Sequence, residues 1–405
     1  MRSFDLDNAD VPDPADRQAW LAQADALTAA GDPRGAAIRL EHLCESGEGG
    51  GDPAELASAY EQVEREFGLD GLRADGSWQF SWSRGLIDSA SFRLVKETQP
   101  QRQALVEHLL AESVPQGTYD PADPEQWEGV LIDALLSHPA ARLLNRLELH
   151  LTDYHHSAER AAVALSRRQW PRLHTLYFGH DFETLFEWHE TSTGNHVQPE
   201  RYLHAAVVPQ TAESALWRSL PALRTLELEG AFLFEDVEHD ALTHLRTRGA
   251  VLSDGSLFAY STPALVSLEV EIEYDVHGVV ASNAVLGDLQ PSRYPRLRTL
   301  DLSEAHFDPD EAGDFVLLAR HPILPQLTHL GIRDLVITEA ETDGDAEDGE
   351  GDPLAVLAEL APRFAHLELE VAGDIEVEGA EDEDVDRILS GLGLGALADA
   401  GEVEG

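Results

Sequence analysis

Cysteine and long apolar runs are nearly missing from this sequence. Cys44 is the single cysteine in 405 residues, so an internal disulfide and a metal cluster held by cysteines are excluded. This usage fits a reducing compartment. No apolar run approaches the roughly 20 residues of a transmembrane helix, and the first residues lack the apolar segment of a signal peptide. We therefore expect a cytoplasmic protein.

Positive charge is scarce as well. The chain has 28 Lys and Arg residues against 76 Asp and Glu residues, for a formal net charge of −48, and Lys96 is the only lysine. Such a surface repels both the phosphate backbone of nucleic acids and the anionic surface of membranes. Two interpretations stay open at this point: the acidic residues only keep the chain solvated, or they attract a basic partner.

What the sequence does contain is a short motif that recurs. Leu297-Arg298-Thr299-Leu300-Asp301-Leu302 is the clearest copy of L-x-x-L-x-L. Further copies begin at Leu144, Leu173, Leu223, Leu265 and Leu327, and a degenerate copy begins at Phe364. This recurrence is the signature of leucine-rich repeats. The predicted fold class is α/β: a leucine-rich-repeat solenoid of about seven units over residues 143–372, with a curved parallel sheet and helices on its convex side.

Spacing and composition organise the rest of the chain. The other predicted regions are a helical N-terminal module with an aromatic strand cap (1–95), a helical connector (96–142) and an acidic C-terminal tail (373–405). Long gaps between motif copies are interpreted as insertions, mainly residues 180–216 and 338–353, because insertions in solenoids emerge as loops, often on a binding face. The gap between Leu223 and Leu265 is interpreted in the same way.

The N-terminal module is predicted from helical periodicity and turn residues. Gly31-Asp32-Pro33-Arg34-Gly35 separates two helical segments, and turn chemistry accounts for it: Gly31 suits a helix C-cap, Asp32 an N-cap and Pro33 a first helical position. Polar and aromatic residues alternate over residues 77–82, and a second extended segment follows a glycine. This pattern predicts two strands.

These residues resemble the bacterial repeat-companion domain, a helical module that precedes leucine-rich repeats and carries the pattern A-D-W-L-x-x-x-G-D-P-R-G-x-F-I-R-L. The matching residues are Ala24, Asp25, Leu27, Gly31, Asp32, Pro33, Arg34, Gly35, Ile38, Arg39 and Leu40. Ala26 and Ala37 stand where the family prefers Trp and Phe. The aromatic strands resemble the stretch that links this module to the repeats and covers the first of them. The resemblance implies an intracellular bacterial interaction protein and not an enzyme.

Residues between the motif leucines are the candidates for partner binding, because side chains alternate in a strand and these point to the concave side. They are Glu148, Tyr177, Glu227, Glu229, Glu269, Glu271, Asp301, Arg333 and Glu368. Aligned by motif, the middle positions are mostly carboxylates, Glu368 among them, which predicts an acidic stripe with neighbours about 5 Å apart. A basic partner would offset their repulsion; the alternative is that acids simply occupy every exposed position.

No residue pattern predicts a catalytic site, a cofactor or a metal. The acidic segment from Asp343 has Asp348 and Leu354 where a calcium loop requires Gly and Glu. The histidines of residues 180–216 match no zinc spacing, and nucleotide-binding and nucleophile motifs are missing. We therefore expect a non-enzymatic protein that binds a basic protein partner through the acidic concave face or through the aromatic and histidine-rich insertion of residues 180–216. The alternative is a metal-dependent hydrolase in that insertion. The oligomeric state stays open.

Overall fold

The computed structural model describes residues 12, 16–47, 51–95, 99–112, 114, 119–120, 122–152, 157–180, 207–272, 282–307, 313–339 and 352–392. The chain divides into two compact units, Met1–Gln198 with Val207–Leu223, and Pro199–Ala206 with Arg224–Gly405. The fold is α/β, with a helical N-terminal region and ten mostly parallel strands in chain order, four in the first unit and six in the second. This division differs from the predicted domain boundaries, which stay a prediction.

Four helices and a β-hairpin open the first unit. They are α1 (Arg17–Ala29), α2 (Arg34–Ser46), α3 (Pro53–Phe67), α4 (Asp70–Asp75), β1 (Trp78–Ser83) and β2 (Leu86–Arg93). Capping explains the ends of α1: the Asp16 side chain accepts a hydrogen bond from Ala19 N, and Gly31 follows the helix with a φ of 70°. The helix–turn–helix and the two strands predicted here are confirmed.

A buried ion pair holds the turn between α1 and α2. Arg34 is only 3% exposed, and its Nη2 lies 2.6 Å from Asp32 Oδ2. The Arg34 guanidinium also lies over the Phe67 ring. Gly35 lets the two helices approach, since a Cβ there would lie 2.6 Å from the Ala24 carbonyl oxygen. The segment is therefore a packing element as well as a turn, which turn chemistry alone did not predict.

Two glutamates fasten the β1–β2 hairpin to the helices. Glu41 of α2 accepts hydrogen bonds from the Tyr60 hydroxyl at 2.5 Å and from Arg84 N at 2.7 Å. Glu64 of α3 accepts one from Trp82 Nε1 at 2.8 Å. Hydrogen bonds to a carboxylate are stronger than those between neutral groups. They position the hairpin, and with it the strands that follow.

Helices and strands alternate in the rest of the first unit. It contains α5 (Gln99–Glu112), α6 (Trp127–Ser137), β3 (Arg146–Leu151), α7 (Ser157–Ser166), β4 (Thr175–His180) and α8 (Gln210–Ser219). β2 pairs antiparallel with β1 and parallel with β3, and β3 pairs parallel with β4. Leu147 and Leu149 of β3 are fully buried. The hairpin lies on the edge of the first motif strand, where the strand cap was predicted.

The second unit is built mainly from parallel strands. Its elements are β5 (Thr225–Glu229), β6 (His244–Arg248), β7 (Ser267–Glu271), β8 (Thr299–Leu302), α9 (Asp314–Arg320), β9 (His329–Ile332), β10 (Leu335–Ile337), α10 (Pro353–Leu360), β11 (Glu368–Val371), β12 (Ile375–Val377) and α11 (Asp382–Leu389). Six strands pair in the order β5, β6, β7, β8, β9, β11, and β10 pairs with β12. Within the predicted acidic tail, β12 and α11 are ordered elements.

β6 lies where the sequence predicted an insertion. Its Leu245 and Thr247 point to the buried side and take the places of the last two leucines of the motif. Thr247 is 0% exposed. The interpretation of the gap between Leu223 and Leu265 as an insertion is therefore wrong. The gap holds a further strand in which threonine, a β-branched residue that strands favour, replaces the last leucine.

Candidate functional site

The candidate residues lie on the strand face opposite the buried leucines. In β7, Leu268 and Val270 are buried, whereas Ser267, Glu269 and Glu271 alternate with them and are partly exposed. β5 and β8 show the same alternation. The predicted side-chain directions are confirmed for these strands. We call the surface formed by the alternating polar residues of each unit its polar face.

On the polar face of the first unit, the candidates Glu148 and Tyr177 stand opposite one another on β3 and β4. Arg146 Nε lies 2.7 Å from Glu148 Oε1, and the His150 ring stacks on the Tyr177 ring with centroids 4.2 Å apart. Burial raises the pKa of Glu148, but hydrogen bonds from Arg146 and Ser91 outweigh it, so the pKa lies below its usual value. Both candidates therefore contact basic or aromatic neighbours within their own unit.

Arg246 of β6 divides the acidic residues on the polar face of the second unit. Its Nε lies 2.7 Å from Glu269 Oε1, and its Nη2 lies 3.2 Å from Glu271 Oε2. On its other side, Nη1 lies 3.9 Å from Glu227 Oε2. One guanidinium thus offsets the charges of two neighbouring strands.

Arg248 repeats this arrangement two residues further along β6. Its Nη1 lies 3.1 Å from Glu229 Oε1 and its Nε 2.8 Å from Glu271 Oε1. The Glu229 and Glu271 side chains are only 14% and 16% exposed, so solvent and salt screen these pairs less than those of Arg246. The predicted stripe of adjacent carboxylates is therefore wrong at the centre of this face, where two arginines separate four glutamates.

Glu269 and Asp301 do remain direct neighbours, on β7 and β8. Burial raises the pKa of Glu269 above its ordinary value, and the charges of Asp301 and of the glutamates on β5 and β7 add to this effect. The opposing influence of Arg246 does not outweigh them. Glu269 and Asp301 are therefore neighbouring carboxylates whose repulsion Arg246 does not fully offset.

Gly331 makes room for the Asp301 carboxylate. The two residues stand opposite each other on β9 and β8, and a Cβ at Gly331 would lie 2.5 Å from Asp301 Oδ1. On the other side of Gly331, the corresponding position on β11 belongs to Glu370. The motif alignment placed Glu368 there, which is wrong by two residues, because Glu368 stands opposite His329. Carboxylates therefore flank the glycine on both sides.

Asp301, Glu368 and Glu370 form a group that we call the carboxylate patch. The side chains of Glu368 and Glu370 are 81% and 66% exposed, and His329 lies 3.6 and 4.0 Å from them. In the parts of the chain that the structure describes, no arginine or lysine lies within 4.0 Å of the three carboxylates. The patch thus differs from the arginine-paired centre of the same face.

Arg333 is the basic candidate of this region. Its Nη1 lies 3.7 Å from Glu304 Oε2 and its Nε 3.7 Å from Asp334 Oδ2. Its side chain is 33% exposed. Arg333 is therefore already engaged with two acidic residues beside its own strand, and it does not neutralise the patch.

Sequence reasoning missed Arg246 and Arg248, and it placed Glu370 on the exposed side at the wrong register position. A signal for the two arginines was present: residues 242–248 read L-T-H-L-R-T-R, which fits the motif once threonine is accepted in its last position. Glu368 was chosen as the candidate in place of Glu370 because their strand was aligned on the wrong apolar residues. The first error is an unrecognised strand and the second a shifted register, and neither concerns which residues of a predicted strand are buried.

The alternative metal site and the alternative binding surface in residues 180–216 both lie largely outside the described residues, which exclude residues 181–206. His180 ends β4 and is 0% exposed, whereas His189, His196 and His204 fall in the range that the structure does not describe, as do residues 340–351 of the acidic segment. Among the described residues, no group of three or more His, Cys, Asp or Glu side chains could hold a metal ion. No helix in the described parts of the chain is long and apolar enough to cross a membrane.

Comparison with known proteins gives no family assignment: no protein-family model and no curated protein matches the chain. The function is therefore argued from the residues and their geometry. The most distinctive arrangement among them is the contrast between the arginine pairs of β6 and the carboxylate patch.

Proposed function

We propose that this chain is a non-enzymatic leucine-rich-repeat solenoid that binds a basic segment of another protein on the polar face of its second unit. The recurring motif and the parallel strands support the repeat architecture. The binding surface is centred on the carboxylate patch and bordered by Glu269. One observation carries this choice: on a single face, the glutamates beside β6 have arginine partners and the patch has none among the described residues.

The energetic contribution of such a patch is modest, and its kinetic contribution is larger. A solvent-exposed ion pair contributes about 0.2–1 kcal/mol. Three such contacts therefore contribute about 3 kcal/mol at most. A surface field of one sign also accelerates association with an oppositely charged partner, and the net charge of −48 acts in the same direction. We therefore expect a high association rate with the basic partner and an affinity that falls as the salt concentration rises.

The arginine-paired glutamates play a smaller part in this proposal. Glu227 and Glu269 both lie within ion-pair distance of Arg246. Reversing their charges, the obvious test from the sequence, would disturb pairs inside the unit as well as any contact with a partner. A test of binding therefore has to leave these two residues unchanged.

Two charge-matched triple variants test the proposal. The patch variant combines Asp301→Asn, Glu368→Gln and Glu370→Gln, and the control combines Glu55→Gln, Glu359→Gln and Glu383→Gln at exposed helical positions. Partners captured at low salt are identified and purified, and their affinity for each variant is measured by calorimetry. We expect a loss of about tenfold for the patch variant, which corresponds to 1.4 kcal/mol, and less than about twofold for the control. Equal affinities would refute the patch as the binding surface.

A further inference from the structure

A cavity lies in the first unit where α1, the β1–β2 turn and the starts of β3 and β4 meet. Its volume is about 260 Å³, and its apolar wall is formed by Trp20, Leu86 and Leu143. Trp20 and Leu86 are 4% and 5% exposed. Small-molecule sites combine such a wall with a few polar groups, and typical volumes are about 300–1,000 Å³. The cavity therefore suits a small ligand.

The charge of the cavity lining is opposite to that of the chain as a whole. Acidic residues outnumber Lys and Arg by 76 to 28 in the sequence, yet the cavity is lined by Arg84 and Arg172 and by only one carboxylate, that of Asp88. Arg172 Nη2 donates to the Pro12 carbonyl oxygen at 3.2 Å, which positions its guanidinium. Asn145, also in the lining, holds His174 through a 2.8 Å contact between Oδ1 and Nδ1. Arg84 Nη2 also lies 3.9 Å from Glu45 Oε1, a half-exposed carboxylate outside the lining. The lining itself, with two arginines and one carboxylate, favours an anion.

Arg84 has a backbone conformation that arginine rarely adopts. It begins the two-residue turn between β1 and β2 with a φ of 52°, and Gly85 follows with a φ of 74°. Such turns favour Asn, Asp or Gly at the first position, and other side chains cost about 1–2 kcal/mol there. Backbone outliers of this kind cluster at binding sites. At this position the Arg84 side chain belongs to the cavity lining, and its Cζ lies 5.9 Å from the centroid of the Trp20 ring.

We propose that this cavity binds a small monocarboxylate with an apolar body. The carboxylate lies between the guanidinium groups of Arg84 and Arg172, which bind carboxylates through charge-assisted hydrogen bonds. The apolar body packs against Trp20 and its neighbours in the wall. Asp88 disfavours a second negative charge on the ligand. This site is separate from the polar face, and it does not rest on the proposed function.

Calorimetric titration of the full chain with phenylacetate tests this proposal, and benzylamine serves as the probe of equal size and opposite charge. We expect saturable binding of phenylacetate, at least about tenfold tighter than that of benzylamine, because a hydrogen bond to a charged group contributes on the order of this factor. Arg172→Gln and Arg84→Gln are each expected to weaken phenylacetate binding about tenfold, and Arg172→Lys is expected to weaken it less.

Arg218→Gln, at an exposed position of α8, is the matched control and is expected to bind phenylacetate like the unmodified chain. Circular dichroism melts verify that each variant is folded. If one of the two glutamine variants does not fold, the other still tests the proposal. The proposal is overturned if phenylacetate does not saturate, if benzylamine binds as tightly, or if folded variants at both arginines bind phenylacetate as the control does.

Discussion

The polar faces of the two units share a backbone pattern and differ in charge. Leu149 in the first unit and Leu300 in the second are both 0% exposed and alternate with polar residues in the same way. On β3 and β4 those polar residues form an arginine–glutamate pair and a histidine–tyrosine stack. On the strands of the second unit that pair in this sheet, carboxylates are the commonest of those residues, and only some of them have arginine partners. The leucines specify the strands, and the residues between them determine the side-chain contacts on the polar face.

The second unit contains the same contrast on a smaller scale. Beside β6 the negative charges are offset within the chain, by Arg246 and Arg248. At the carboxylate patch no arginine or lysine among the described residues lies within 4.0 Å, and the neighbour of Glu368 and Glu370 is the His329 ring. An offset within the chain contributes to folding, whereas charges without one are available to a partner. Four measurements separate these roles.

The largest expected effect comes from the buried side of a strand. Leu268→Ala in β7 is expected to lower the free energy of unfolding by about 2–5 kcal/mol, because it removes buried methyl groups and leaves a cavity. Glu269→Gln, the next residue and on the polar face, is expected to change it by less than about 1 kcal/mol. Urea denaturation measures both. Similar losses for the two variants would mean that the buried and polar sides do not have separate roles.

A smaller loss of stability is expected from the arginines of β6. The double variant Arg246→Gln with Arg248→Gln is expected to lower the free energy of unfolding by about 1–2 kcal/mol, because four glutamates lose their partners. The arginine side chains are 47% and 31% exposed, which keeps the loss below that of a buried pair. Arg218→Gln with Arg320→Gln, at exposed positions, is the control in the same urea experiment. A double variant as stable as this control would contradict the charge-offset role of β6.

The pH dependence of stability is expected to differ between Glu148 and Glu269. The pKa of Glu148 is lowered from 4.5, so its ionised form stabilises the fold above pH 4.5, and this contribution disappears as the pH falls through the lowered pKa. The pKa of Glu269 is raised from 4.5, so stability present below pH 4.5 is lost as the pH rises through the raised pKa.

Near neutral pH, therefore, Glu148→Gln is expected to lower the free energy of unfolding and Glu269→Gln to raise it. Each change stays under about 1 kcal/mol, because both carboxylates are partly exposed and solvent screens them. Thermal unfolding across the acidic and neutral range measures the two variants against the unmodified chain. Both differences are expected to shrink below the lower pKa, and changes of the same sign would contradict the contrast.

The smallest change in stability is expected at Gly331. Gly331→Ala places a Cβ against the Asp301 carboxylate, which can rotate away, so the free energy of unfolding changes by less than about 1 kcal/mol while the patch is rearranged. The carboxyl carbon chemical shift of Asp301 reports this movement. Gly287→Ala is the control, because a Cβ there meets nothing within 4 Å. An unchanged Asp301 signal in Gly331→Ala would show that the glycine does not shape the patch.

The sequence predicted side-chain direction well and strand register less well. Leucine periodicity alone puts Glu227, Glu269 and Asp301 on one face, because alternation in a strand is a local property. β6 was not predicted as a strand because Thr247 replaces the last leucine of the motif. β11 was aligned two residues away from its true register, because its apolar residues fit the motif in two positions. The ion pairs of Arg246 were not predicted, because they require β6 to lie between β5 and β7 and this strand was interpreted as an insertion.

β6 also limits how this chain can change its length. If β5 were joined directly to β7, Glu227 would face Glu269, as the register of each strand with β6 implies. Like charges directly opposite one another destabilise a sheet. The buried leucine positions of β5 and β7 would still lie opposite one another in this shorter chain. The charges between the leucines therefore affect the stability of each strand pairing, and loss of β6 would add a second pair of facing carboxylates to that of Glu269 and Asp301.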